Sequence, residues 1–303
     1  MNKMKTKIAL LIVYNHRYDK NIPRLENIYK DRFSYVYHLV PFYDGVQKNV
    51  IPVYESSYYF QSYIAQAYTH INKEGFTHFF IVADDMIINP SLNEGNLHEK
   101  LGLQQDECYL PRTIILQEKY NFKGKRWWGY TQKAVGYSIE QRGVEVKSIL
   151  PSVHEAQKIL EQFGIPFCDI PITTITPKTK VGMKLAWDCI KKKCKLYYPL
   201  VGGYVDTFIV TADVMPKFCQ YCGAFSATKL FVEIAIPTAL FLSATKIKMD
   251  KDVKLHEGDL WNDDQIALCK KYGYDLDKLL ESYPQNVLFI HPVKLSKWKS
   301  SRF

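Results

Sequence analysis

The sequence predicts an α/β protein built on a mostly parallel sheet, and three observations predict it. Strand-like and helix-like segments alternate through the first third of the chain in the order β-α-β-α-β. The segments 8–13 and 79–83 are continuous apolar runs without polar alternation, the pattern of strands covered on both faces. The second run, Phe79-Phe80-Ile81-Val82-Ala83, stops abruptly at two adjacent carboxylates, Asp84 and Asp85. Ligands of open α/β sheets bind at the carboxyl ends of the strands, so that stop is also the first functional lead.

Residues 8–13 read as a first strand although Lys3, Lys5 and Lys7 precede them, because Asn15-His16-Arg17 follows where a signal peptide would carry small residues. A polar exit loop covers 15–19. Pro23 opens a helix over 23–29 with Leu25, Ile28 and Tyr29 on one face. A strand over 33–40 ends in the turn Pro41-Phe42-Tyr43-Asp44-Gly45. A helix over 58–71 is expected from Tyr59, Tyr63, Ala67 and His70, with Gly75 stopping it before the strand at 77–83. Later come a helix over 153–162 closed by Gly164 and a Gly202-Gly203 turn leading into a strand over 204–210. A buried helix over 231–244 follows, interrupted by Pro237 and holding one acid, Glu233. A helix over 263–272 carries acids in its first turn, and a last strand over 287–290 ends at His291-Pro292-Val293-Lys294.

With 303 residues, 47% of them apolar, the chain can bury a large core, and disorder is excluded as its general state. One catalytic domain over 1–303 is expected, with a nucleotide-binding half to about residue 105 and an acceptor-binding, catalytic half from about 106. No apolar run approaches a membrane span. The formal charge of +9 attracts phosphates or an anionic membrane surface. Its lysines are spread along the chain without a nucleic-acid-binding module, so nucleic acid is not an expected partner. Lys191-Lys192-Lys193 with Lys195, and the tail Lys294, Lys297, Lys299 and Arg302, are the basic clusters. Seven scattered cysteines suit reduced thiols and a cytoplasmic protein, with room for peripheral membrane contact. Cys189, Cys194, Cys219 and Cys222 offer a zinc reading, against which the wide first spacing argues.

Two ionised carboxylates cannot end a buried strand cheaply, because like charges in a low dielectric repel and desolvate badly. A divalent metal holding a phosphate resolves the conflict. A plain strand end, with Asp capping backbone amides before Asn89-Pro90-Ser91, is the competing reading. Glu233 stands in the apolar stretch Leu230-Phe231-Val232-Glu233-Ile234-Ala235, where burial would suit it to act as a general base. A helix N-terminal acid without catalytic role is its alternative. Asp206, Asp213 and the group Glu257, Asp259, Asp263 and Asp264 are further candidates for the base. Arg126-Trp127-Trp128 reads as core packing before a sugar platform.

In this order the pieces resemble a GT-A-fold glycosyltransferase, the nucleotide-diphospho-sugar transferase architecture with a mostly parallel central sheet and helices on both faces. Ile12-Val13-Tyr14-Asn15 resembles the strand and loop that hold the nucleoside, and Tyr43-Asp44-Gly45 the acid and turn at base or ribose. Ala83-Asp84-Asp85 stands where the family has its Asp-x-Asp metal motif, with Ala83 replacing the first acid. Glu233 stands where a catalytic carboxylate is common, and His291 where many members supply a further metal ligand. The resemblance implies a nucleotide-sugar donor held by Tyr14, Asn15, Asp44, Asp84 and Lys294. It implies Mn2+ or Mg2+ on Asp84, Asp85 and His291, and a saccharide or glycolipid-type acceptor, as in polysaccharide biosynthesis. Transfer with Glu233 as base would invert the anomeric centre. A nucleotidyltransferase or metal-dependent phosphohydrolase on the same acidic pair is the rival, disfavoured by the lack of a P-loop. A non-catalytic carbohydrate-binding protein is the other.

Overall fold

Strand β1 (Ile8–Val13) lies inside the sheet, and its sequence accounts for that place: all six residues are buried. Ala9, Leu11 and Val13 enter one hydrophobic cluster, while Ile8, Leu10 and Ile12 enter a second on the opposite face. That is the two-residue alternation of a strand applied to a run that is apolar throughout. The computed structural model describes residues 6–116, 148–165, 198–258 and 269–301, with Met183, Trp187 and Ala267.

Parallel partners β2 (Tyr35–Pro41) and β4 (His78–Ala83) flank β1, and β3 (Val50–Val53) lies parallel beside β2. Beyond β4 the direction reverses: β9 (Thr207–Thr211) runs antiparallel to β4 and to β6 (Cys108–Tyr109), and β10 (Ile247–Lys248) pairs parallel with β6. The seven-stranded order is β10-β6-β9-β4-β1-β2-β3. Two small antiparallel ladders complete the description, β5 (Ile87–Ile88) with β11 (Phe289–Ile290) and β7 (Thr113–Ile114) with β8 (Gly202–Gly203).

Helices cover both faces of the sheet. Side chains of α2 (Gln61–Ile71), α4 (Val153–Gln162), α5 (Met215–Ala227) and α6 (Val232–Ser243) fill the first cluster. Those of α1 (Asn21–Tyr29), α3 (Leu97–Leu101) and α7 (Leu276–Glu281) fill the second. The mostly parallel sheet with helices on both faces is therefore present. No helix among the described residues is long and apolar enough to cross a membrane.

Several boundaries differ from expectation for visible reasons. Helix α2 begins only at Gln61, after a short 3-10 turn at Ser57–Tyr59 capped by Ser56. Its buried face is Gln61, Tyr63, Ile64, Ala67 and Ile71, which leaves His70 exposed. Gly202-Gly203 is not a turn but strand β8, and a Cβ at Gly203 would lie 2.6 Å from the Arg112 carbonyl oxygen and 2.9 Å from Pro237 Cγ. Only glycine lets that ladder lie against α6. Cys219 and Cys222, half of the zinc reading, are buried thiols of α5, and Cys189 and Cys194 lie outside the described residues. So do Trp127, Trp128, the 191–195 basic cluster and residues 263–266 and 268 of the 263–272 segment.

Candidate active site

The carboxyl ends of β1 and β4 lie side by side, because Val13 pairs with Ala83 and the Asp84 N–H donates to the Val13 carbonyl at 2.9 Å. This register sets Asn15 beside the acidic pair. The Asn15 N–H reaches Asp84 Oδ1 at 3.4 Å and the Asn21 side-chain amide donates to Asp84 Oδ2 at 3.3 Å. Asp84 is 3% exposed. Burial first, and then the charge of Asp85, pushes its carboxyl up to about 7 against those two hydrogen bonds. The conflict seen in the sequence is real in the fold.

Asp85 is half-buried, and a segment from the far end of the chain meets it. The Val293 N–H donates to the Asp85 carbonyl at 2.6 Å, and Arg24 holds the Leu295 carbonyl at 2.8 Å. This docking carries His291 to Asp85, Nε2 to Oδ1 at 3.0 Å. An ionised carboxylate only accepts, so Nε2–H donates to it, and the Tyr204 hydroxyl lies 3.0 Å from Nδ1, the other ring nitrogen. Asp206 Oδ2 lies 3.8 Å from the same Nδ1. A pocket of about 300 Å³ opens here, lined by Asn15, Asn21, Ser57, Asp84, Asp85 and Lys294 among others.

Five of the residues singled out in the sequence, Asn15, Asp84, Asp85, His291 and Lys294, thus meet at one place. Three others sit apart from the pocket lining. Tyr14 is fully buried, its hydroxyl 2.9 Å from His38 Nδ1, and His38 Nε2 meets Glu26 at 3.0 Å. Burial, and then the charge of Asp84, holds that phenol well above its ordinary range. Asp44 is exposed and paired with Arg17, which also holds Asp19 and the Phe42 carbonyl. Glu233 is in the first turn of α6, half-buried. Phe231 before it packs on Tyr58 with ring centroids 4.5 Å apart, and Ser57 beside Tyr58 lines the pocket.

The sheet topology sorts the alternative bases. Because β9 is antiparallel to β4, its first end carries Asp206 to the Asp85 side, where the Ala83 N–H bonds the Asp206 carbonyl at 2.8 Å. Its other end pairs Thr211 with His78 and puts Asp213 at the opposite edge of the sheet, which removes Asp213 from the site. Asp259, Asp263 and Asp264 lie outside the described residues. Sequence reasoning missed Asn21 as the partner of Asp84, Tyr204 as that of His291 and Arg17 as that of Asp44; they read locally as a helix start, a strand residue and a loop residue.

No family model and no curated protein matches the chain. Two solved structures are similar at low score. Core-mannan synthase A (CmsA/Ktr4) from Aspergillus fumigatus, in its Mn/GDP form, is 10% identical, with 84% of this chain and 75% of that one covered and a TM-score of 0.36. The mannosyltransferase Ktr4p from S. cerevisiae in complex with GDP is 11% identical, with coverage of 82% and 70% and a TM-score of 0.33.

Among the described residues, no group of three or more His, Cys, Asp and Glu side chains is assembled as a metal cage. A metal that bridges substrate phosphates does not need one. Mg2+-type sites take one or two carboxylates and draw their other ligands from phosphate and water. Asp85 with His291 supplies an oxygen and a nitrogen donor, and Asp84 behind them supplies charge that a cation would relieve. The Tyr204 hydroxyl can accept a hydrogen bond as well as donate one, so it is compatible with either His291 tautomer, including the one that leaves Nε2 free for a metal. The donor set fits manganese or magnesium.

Proposed function

We propose that the protein is a glycosyltransferase that moves a sugar from a nucleotide-sugar donor to a saccharide or glycoconjugate acceptor, with a divalent metal, by inversion. One observation supports this above the others. Residues as far apart as Asn15, Asp84-Asp85 and Lys294 line a single pocket at the carboxyl edge of a parallel sheet, and His291 meets Asp85 at its wall. Asp85 and His291 would hold manganese or magnesium, with Asp84 adding charge, and the bound metal would stabilise the departing nucleoside diphosphate.

The chain's own residues do the rest. The Asn15 backbone and the Asn21 amide hold Asp84 in place at the pocket wall. Lys294 presents an ammonium group to the same space and suits a phosphate oxygen. The acceptor hydroxyl must lose a proton as the new bond forms. Glu233 is the proposed base, and Asp206, beside His291, is the second candidate.

A thermal-shift screen of nucleoside diphosphates with and without manganese tests the reading. Ligand at about 100 times its dissociation constant adds about 2.7 kcal/mol of stability. A shift that needs both nucleotide and metal is expected, and no shift with any nucleotide overturns it. With donors, release of nucleoside diphosphate supports transfer, whereas release of pyrophosphate makes the protein a nucleotidyltransferase.

A further inference from the structure

A second cleft, of about 630 Å³, lies on the far side of Tyr204. One chain of side chains separates it from the acidic pair. The Arg112 guanidinium sits 6.0 Å from the centre of the Tyr204 ring, the Tyr204 hydroxyl meets His291, and His291 meets Asp85. Phe289 stacks on Tyr204 with ring centroids 5.7 Å apart and the ring planes nearly parallel.

The chemistry of the cleft is mixed and balanced. Two cations, Arg112 and Lys251, face two carboxylates, Asp250 and Glu257. Arg112 pairs with Glu257, and Asp250 Oδ1 accepts from the Glu257 N–H at 3.1 Å while His256 lies 3.7 Å from Oδ2. Burial holds the Asp250 carboxyl above its usual range. Ile115, Phe163, Ile165 and Met249 add an apolar surface to the same cleft.

That combination points to one class of ligand. A phosphate, sulfate or uronate would meet two carboxylates, and an amine would meet two cations. A neutral polyol gains from both, because each hydroxyl donates and accepts, and the C–H faces of a pyranose cover apolar side chains. We propose that this cleft binds a neutral oligosaccharide, the acceptor of the transfer, with Asp250, Glu257 and Arg112 as its hydrogen-bonding partners. The acceptor role rests on the transferase reading above; the binding of neutral glycan does not.

The test is saturation-transfer NMR on the full chain with a mixture of neutral trisaccharides of glucose, mannose and galactose, and with a galacturonic acid trimer as the charged comparison. Transfer to at least one neutral trisaccharide is expected and little to the uronate. Asp250→Asn and Glu257→Gln should each weaken the neutral ligand about tenfold or more. Lys251→Ala, at an exposed residue whose loss leaves the fold intact, should weaken it about threefold and decides the matter if the other two variants melt early. Asp85→Asn should leave it unchanged. Silence from all neutral trisaccharides, preference for the uronate, or full binding by Lys251→Ala and Asp250→Asn together overturns the proposal. Nucleotide-plus-manganese thermal shifts on the same samples separate the two readings. If these fail while the trisaccharide binds, the transfer is wrong and the glycan cleft stands; the reverse result overturns the cleft alone.

Discussion

The two ends of β4 both bury titratable side chains, yet only the carboxyl end adjoins the pocket lined by Asp84 and Asp85. At the amino end His78 is 1% exposed, its Nδ1 3.1 Å from Thr77 Oγ1 and its Nε2 donating to the Gln105 carbonyl at 3.1 Å. His98 packs edge-on against it with ring centroids 4.3 Å apart. Burial, and then the neighbouring His98, depresses the His78 pKa to about 4, so the ring stays neutral and serves as packing. At the carboxyl end, Asp84 and Asp85 face Lys294 across a pocket and meet His291. Buried ionisable groups therefore do not define a site by themselves. The site is where burial, like charges and open volume coincide at the carboxyl edge of the sheet.

The sharpest way to break this comparison is Asp85→Asn. The variant keeps the size of the side chain and can still meet His291, but it removes the negative charge proposed to hold the metal. Manganese-dependent nucleotide binding should weaken by more than about a hundredfold, beyond the range for losing only a contact that supports a ligand. Calorimetry on parent and variant measures it. Parental affinity in the presence of manganese would return the carboxyl end of β4 to a plain strand end.

The base is the next test, because the pocket lining does not include Glu233 while the topology brings Asp206 to His291. Glu233→Gln and Asp206→Asn each keep shape and remove basicity. Whichever residue takes the acceptor proton should lose about a hundredfold or more in transfer at saturating donor, with the acidic limb of the pH–rate profile gone. A structural acid would instead lower the melting temperature and leave that profile in place. Near-parental transfer in both variants would exclude both residues.

The amino end of β4 makes a prediction of opposite character, in stability alone. With a folded pKa near 4 and an unfolded value near 6.5, His78 binds more protons when unfolded between those limits. Its contribution is complete above about pH 6.5 and is lost as pH falls toward 4, on the order of 3 kcal/mol. His98, lowered by burial, acts in the same direction. Urea unfolding of parent and His78→Gln at pH 7 and pH 4.5 should show the parent losing more stability on acidification. Equal losses would mean that the ring is not held neutral.

How much of this was legible follows from the lengths of the signals. Ile8–Val13 and the run ending at Ala83 are long enough for an unbroken apolar pattern to declare a strand covered on both faces. The two-residue strands at Cys108–Tyr109, Ile247–Lys248 and Thr113–Ile114 carry no period at all, and only their partners make them strands. Asp84 and Asp85 stood out because two carboxylates after an apolar run contradict burial. His291 was placed by the GT-A resemblance and not by any local pattern. Asn21 and Tyr204 had no signal, because a hydrogen bond to Asp84 63 residues away, or to His291 87 residues away, leaves nothing in the neighbouring sequence.

The smallest expected effect belongs to Asp44, which tests whether the site reaches past the acidic pair to the end of β2. Its carboxylate is exposed and lies on Arg17, whose guanidinium beside it holds its pKa below the ordinary value. Exposed pairs of this kind add little to stability, so Asp44→Ala should melt with the parent. If Asp44 contacts the nucleoside, that contact is the same before and during transfer. Donor KM should then rise about threefold to tenfold, the size of one hydrogen bond, with kcat unchanged. The effect should be constant from pH 5 to pH 8, since the carboxyl is ionised throughout. It should shrink in high salt, where Arg17 and Asp44 are screened from each other and from the donor. A fall in kcat with unchanged KM would move Asp44 to the reacting centre. No change in either would confine the nucleotide to the Asn15–Asp85 pocket and leave Arg17, Asp19 and Asp44 as a surface clamp between the first two strands.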